Sequence, residues 1–146
     1  MSFSSVSRRA VLFSLPAWAR LPFGLRKGRL EGVWIRLRSV STKVGSKAEE
    51  IAIAGDGAVV LRAGDRERKG KVSAMAVERL LELIERDGIE RWDEVSKARS
   101  SHYVARMILV EVNGEPRKQV EVQGEEFPEF ARAVGAIRML AAQACP

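Results

Sequence analysis

The feature that most constrains this chain's fold is a run and a turn in its C-terminal third. Met107-Ile108-Leu109-Val110 is apolar without alternation, and Asn113-Gly114 follows closely. An apolar run of that kind, bounded by turn signals, fits a strand buried on both faces of a sheet. Asn-Gly tolerates the positive φ that a tight hairpin demands. Residues 102–112 are therefore expected to form the longest strand, which turns back into a strand over 117–122 with Val120 and Val122 inward.

A central strand needs neighbours, and the N-terminal half supplies them. Over residues 32–40, Val33, Ile35 and Leu37 alternate with Trp34, Arg36 and Arg38. That period of two places the aliphatics on one face of a strand. Residues 49–54 carry Ile51 and Ile53 inward, and residues 58–62 carry Val59 and Leu61. Gly55-Asp56-Gly57 between them is a tight turn rather than a phosphate loop, because it joins two strands and does not precede a helix. Residues 63–71 read as a charged, glycine-bounded connection, in which Arg66-Glu67-Arg68-Lys69-Gly70-Lys71 is expected to be a solvated loop, with a local basic patch as the alternative.

Two segments switch to helical spacing. Over residues 74–87, Val77, Leu80, Leu81 and Ile84 form an apolar stripe, with Ser73 as N-cap and Gly88 just past the end. Over residues 128–144, Phe130, Val134, Ile137 and Ala141 lie on one side, with Pro128 in the first turn. Gly135 and the alanines are expected to allow a close approach to the sheet. The order is β-β-β-α-β-β-α. This predicts an α+β, two-layer domain, a five-stranded antiparallel sheet with two helices on one face.

Charge divides the chain in two. The 146 residues carry 25 Lys and Arg against 19 Asp and Glu, a net charge of +6. Residues 1–30 hold six of the basic groups and no acid, so residues 31–146 carry nineteen of each sign. A domain that grips phosphates normally keeps its excess charge on its folded surface. The distribution argues against nucleic acid as the partner.

The basic end has its own pattern. Arg8-Arg9 precede an apolar stretch from Ala10 to Ala19 that closes on Ala17-Trp18-Ala19. A positive start, a short apolar core and an A-x-A step define a secretory leader cleaved after the second alanine. Ser7-Arg8-Arg9-Ala10-Val11-Leu12 also resembles the twin-arginine export motif, which implies export of an already folded protein. Residues 1–19 are thus expected to be an export signal, residues 20–31 a linker, and residues 32–146 the domain. No stretch of 18 or more apolar residues exists, so no stable membrane span is expected after cleavage. The expected location is periplasmic or secreted, or cytoplasmic if the leader is not a signal.

Catalytic patterns are absent. The sequence holds no Gly-x-Ser-x-Gly, no Walker loop and no Gly-x-Gly-x-x-Gly. Cys145 is the one cysteine, which excludes an internal disulfide and a Cys-pair metal motif. His102 is the one histidine, so no histidine cluster can bind a metal. Ser100-Ser101-His102 is the nearest approach to a nucleophile and base. No catalytic residue, metal or cofactor is expected.

The candidate binding residues are Trp34, Arg36 and Arg38, an aromatic flanked by cations on the face opposite Ile35. Such a patch suits an anionic sugar, a peptide or an acidic partner. The same side chains would equally cover the open side of a sheet.

The order of elements and several phrases resemble a family of small bacterial domains of unknown function, often exported. The similar places are the first strand with its polar loop, Ile51-Ala52-Ile53-Ala54-Gly55-Asp56-Gly57, the helix entry over residues 70–81, and the Asn113-Gly114 hairpin. Members often carry cysteines in the first loop, where this chain has Ser39, Ser41, Thr42 and Ser46. The resemblance implies no reaction.

The leading expectation is an exported, non-catalytic module that binds an envelope protein or a glycan. The alternatives are an enzyme with a scattered site near His102, and a cytoplasmic nucleic-acid binder using the basic N-terminus.

Overall fold

The computed structural model describes residues 20–43, 45–97 and 103–146. Along them lie β1 (Val33–Ser41), β2 (Glu49–Ala54), β3 (Ala58–Ala63), β4 (Arg66–Lys71), α1 (Ala74–Arg86), β5 (Val95–Ser96), β6 (Val104–Val112), β7 (Glu115–Gln123) and α2 (Pro128–Ala144). The strands form one seven-stranded sheet in the order β4-β3-β2-β1-β6-β7-β5. Every neighbouring pair is antiparallel except β5 with β7, which is parallel. The fold is α+β with a mixed sheet, and both helices pack into one core with one face of it.

The expected count of five antiparallel strands misses two. The segment read as a solvated loop, Arg66–Lys71, is the edge strand β4, paired with β3 from Ala63↔Arg66 to Ala58↔Lys71. It carries no apolar alternation because most of it is exposed. Charged side chains on an edge also discourage pairing with a second chain. The other missed strand, β5, has two residues, too few for any periodicity. Its parallel pairing with β7 makes the sheet mixed.

Local chemistry explains the turns and ends. Asn113 and Gly114 have φ of 52° and 81°, the two positive values of a type I′ turn between β6 and β7. At the β2–β3 turn, the Ala58 amide donates to Asp56 Oδ1 at 3.0 Å. Ser73 Oγ accepts the Ala76 amide at 3.1 Å and caps α1. Gly88, at φ 87°, ends that helix in the left-handed conformation.

The core is the layer between sheet and helices. Val33, Ile35, Leu37, Ile53, Val59, Ile108, Val110, Val120 and Val122 meet Val77, Leu81, Ile84, Phe130 and Ile137. Trp92 packs edge-on against Phe127 and Phe130, with centroids 5.3 and 6.0 Å away, and its indole N–H donates to the Asp87 carbonyl at 2.9 Å. Residues 20–31, expected to be a linker, lie along this core. Pro22 and Leu30 are buried, and Leu21, Phe23 and Leu25 pack against the cluster.

Two expectations about packing change. β6 lies between β1 and β7, as expected of an interior strand, but Met107 and Leu109 on its far side are only half-buried. Gly135 is exposed, and a Cβ there would meet nothing within 4 Å, so it does not bring α2 closer to the sheet. The small residues that do face inward are Ala133 and Ala141.

Candidate functional site

The sheet face opposite the helices carries the candidate site. Alternation along β1 sends Val33, Ile35 and Leu37 into the core and Trp34, Arg36 and Arg38 to the other side. All three sequence-predicted binding residues therefore share one face of the central strand. Antiparallel register then surrounds them. Trp34 lies opposite Ala54 and Glu111, Arg36 opposite Ala52 and Leu109, and Arg38 opposite Glu50 and Met107.

Arg36 is the hub. Its guanidinium carbon sits 4.9 Å from the Trp34 ring centroid, within cation–π range. Its Nε donates to Glu111 Oε1 at 2.6 Å, and its Nη1 donates to Glu50 Oε1 at 3.4 Å. Arg38 Nε lies 3.6 Å from Glu50 Oε2. The arginines are therefore not free cations beside an aromatic. Two carboxylates from flanking strands hold Arg36 in place and neutralise it.

The pairing extends along the sheet. Register aligns Glu67, Arg62, Glu50 and Arg38 on successive strands from the β4 edge inward. Arg62 Nε donates to Glu67 Oε2 at 3.2 Å. Signs alternate along this row, so the face presents many charges with little net field.

Between the charges lies a shallow hollow of about 160 Å³, lined by Trp34, Arg36, Glu50, Ala52, Val60 and Arg62. It exists because Ala52 is small where the neighbouring strands carry Arg36 and Val60. Its floor is apolar, its wall is an indole, and its rim alternates donors and acceptors. The size suits one ring or one side chain; drug-sized ligands usually occupy about 300 Å³ or more.

Sequence reasoning missed Glu50, Glu111, Ala52 and Val60. Glu111 lies 75 positions from Arg36, and only register reveals the pair. The adjacent acids Glu49 and Glu50 carried one usable signal, since alternation sends one of them to each face.

Arg8, Arg9, Ala17 and Ala19 of the expected leader lie outside the described residues, as do Ser100, Ser101 and His102. Among the described residues no charged side chain is fully buried, and no three His, Cys, Asp or Glu side chains converge as a metal site. No described helix is long and apolar enough to cross a membrane. No family model matches the chain, and neither does any curated protein.

Proposed function

We propose that this chain is an exported, non-catalytic module that binds a glycan of the bacterial envelope on the open face of its sheet. The observation that carries this reading is the Trp34–Arg36 platform, tied down by Glu50 and Glu111 beside the hollow over Ala52. An indole face with fixed hydrogen-bonding groups around it suits a sugar ring, which has apolar C–H faces and hydroxyls at its edge. Carboxylates accept and guanidinium groups donate, so hydroxyls find both partners. The balance of charge favours a neutral or zwitterionic partner over a polyanion. A protein partner fits less well, because the centre of a protein interface is normally depleted of Glu, and Glu50 and Glu111 both hold Arg36 here.

The address belongs to the same proposal. Cleavage after Ala19 leaves Leu21, Pro22, Phe23 and Leu25, which pack on the domain, in the mature chain.

The test has two arms. Mass spectrometry of native envelope fractions should find a mature N-terminus at Arg20; a full-length cytoplasmic species would refute export. Titration with soluble envelope oligosaccharides, followed by NMR of the tryptophan indole N–H signals, should shift the Trp34 resonance saturably. Trp34→Ala should abolish binding while leaving the far-ultraviolet spectrum unchanged. Binding that survives Trp34→Ala removes the site, and saturable binding of a protein segment in place of sugars removes the glycan.

A further inference from the structure

A second concavity lies on the helix side of the sheet, at the corner where β2, β3 and β4 run past the end of α2. We propose that this corner is a binding site for a small amphipathic anion, of the class of a medium-chain fatty carboxylate. It is an open cleft of about 480 Å³, within the ordinary range of small-molecule sites.

Its floor is core surface that the protein leaves uncovered. Ile51 and Leu61 point to the same side as Ile53 and Val59, yet they are only half-buried. The end of α2 borders this floor with Ala141 and Ala142, small residues where larger ones would cover the gap. Methyl groups cannot span the gap, so apolar surface remains in contact with solvent.

Its rim is basic. Arg66 faces the cleft from β4 and Arg138 from α2. Neither has a carboxylate partner among the described residues, whereas Arg36, Arg38, Arg62, Arg106 and Arg132 all do. Arg68, the third cation, donates to the main-chain oxygens of Cys145 and Pro146 and holds the segment that follows α2. Glu49 is the opposing acid at the mouth. Glu50 and Arg62 also border the cleft, but alternation turns their side chains to the open face, where they engage Arg36 and Glu67.

Within the cleft Arg66, Arg68 and Arg138 outnumber Glu49, the acid there that no cation engages among the described residues. Two unpaired guanidinium groups above an apolar floor provide what an amphipathic anion needs. Arginine pairs with carboxylate through parallel N–H···O bonds, and the alkyl chain removes Ile51 and Leu61 from water.

Isothermal titration calorimetry with decanoate tests this on the full chain, using acetate and decanol as controls. Decanoate should bind at one site, acetate at least tenfold more weakly and decanol at least tenfold more weakly. Arg66→Gln combined with Arg138→Gln should weaken decanoate at least tenfold, while Arg117→Gln on β7 should leave it unchanged. Ala142→Leu, at an exposed helical position, should fill the cleft and also weaken binding, with an unaltered urea midpoint or a higher one. Equal affinity for decanol, or full retention in the double variant, would overturn the proposal. Sedimentation with phosphatidylglycerol vesicles in the absence of decanoate binding would overturn it too, by assigning the arginines to a membrane surface.

Discussion

Glu111 and Arg36 should be energetically coupled well beyond an ordinary surface ion pair. Arg36 Nε and Glu111 Oε1 are 2.6 Å apart, and the two side chains are 27% and 19% exposed. Fully exposed pairs contribute about 0.2–1 kcal/mol, and hydrogen bonds to charged groups about 1.5–3 kcal/mol. With roughly a quarter of the surface still wet, screening removes part of the upper range. The coupling should therefore be about 1–2 kcal/mol. The assay is a double-mutant cycle in urea with Glu111→Gln, Arg36→Gln and the double variant. Trp34 adds a second signature, because loss of Arg36 removes a cation 4.9 Å from the indole centroid and changes its near-ultraviolet signal. A coupling below about 0.3 kcal/mol would place Arg36 among ordinary exposed pairs. The platform on which the open-face site depends would then not be rigid.

Three further substitutions probe the rest of the fold. Gly135→Ala should stabilise by about 1 kcal/mol, because the position is exposed within α2 and a methyl there meets nothing; thermal unfolding should shift up by about 3 °C. Gly70→Ala should destabilise by about 1–3 kcal/mol, since its Cβ would lie 2.0 Å from the Ala144 carbonyl oxygen and 2.9 Å from Cys145 Sγ; an unchanged urea midpoint would mean that the end of α2 is not seated there. Glu85 is pushed above the usual carboxylate range, first by burial and then by Glu90, against the opposing pull of Arg20 and Arg91. A raised folded-state value favours folding fully below the unfolded value, and the benefit fades as pH rises through the folded one. Glu85→Gln should thus be more stable than the parent at pH 7, and the gain should vanish on acidification to about pH 3.5, below the unfolded carboxyl range.

Legibility in the sequence followed how local the physics was. The helices were readable because Ser73, Gly88 and the stripe from Val77 to Ile84 act within a few residues of one another. The Asn113-Gly114 turn was readable for the same reason. β4 was not, because an edge strand of Arg, Glu and Lys buries nothing and leaves no period in hydrophobicity. β5 depends on a two-residue parallel contact with Glu121 and Val122, which no local signal announces. At the open face, the alternation of β1 correctly grouped Trp34, Arg36 and Arg38. Their chemistry was misread, because Glu50 and Glu111 come from other strands and turn apparent free cations into a neutral lattice. The corner cleft was invisible for a different reason: it requires Arg66 and Arg138, far apart in sequence, to line one hollow with Ile51 and Leu61.

The two proposed sites differ in their electrostatics, and salt should separate them. On the open face each of Arg36, Arg38 and Arg62 has a carboxylate within 3.6 Å. Such dipolar pairs project little field beyond their own spacing, so a partner is held there by contact rather than by long-range attraction. At the corner, Arg66 and Arg138 have no such carboxylate among the described residues, and an anion feels them across solvent. The screening length shrinks from about 8 Å at 0.15 M salt to about 3 Å at 1 M. Raising salt across that range should leave oligosaccharide affinity within about twofold, since contact terms are screened little. The same change should weaken decanoate several-fold, despite salt strengthening the burial of its chain. Salt-sensitive sugar binding would show that the carboxylate pairs open when the ligand arrives. Decanoate binding that strengthens with salt would show that Ile51 and Leu61 act alone and that the arginines are bystanders.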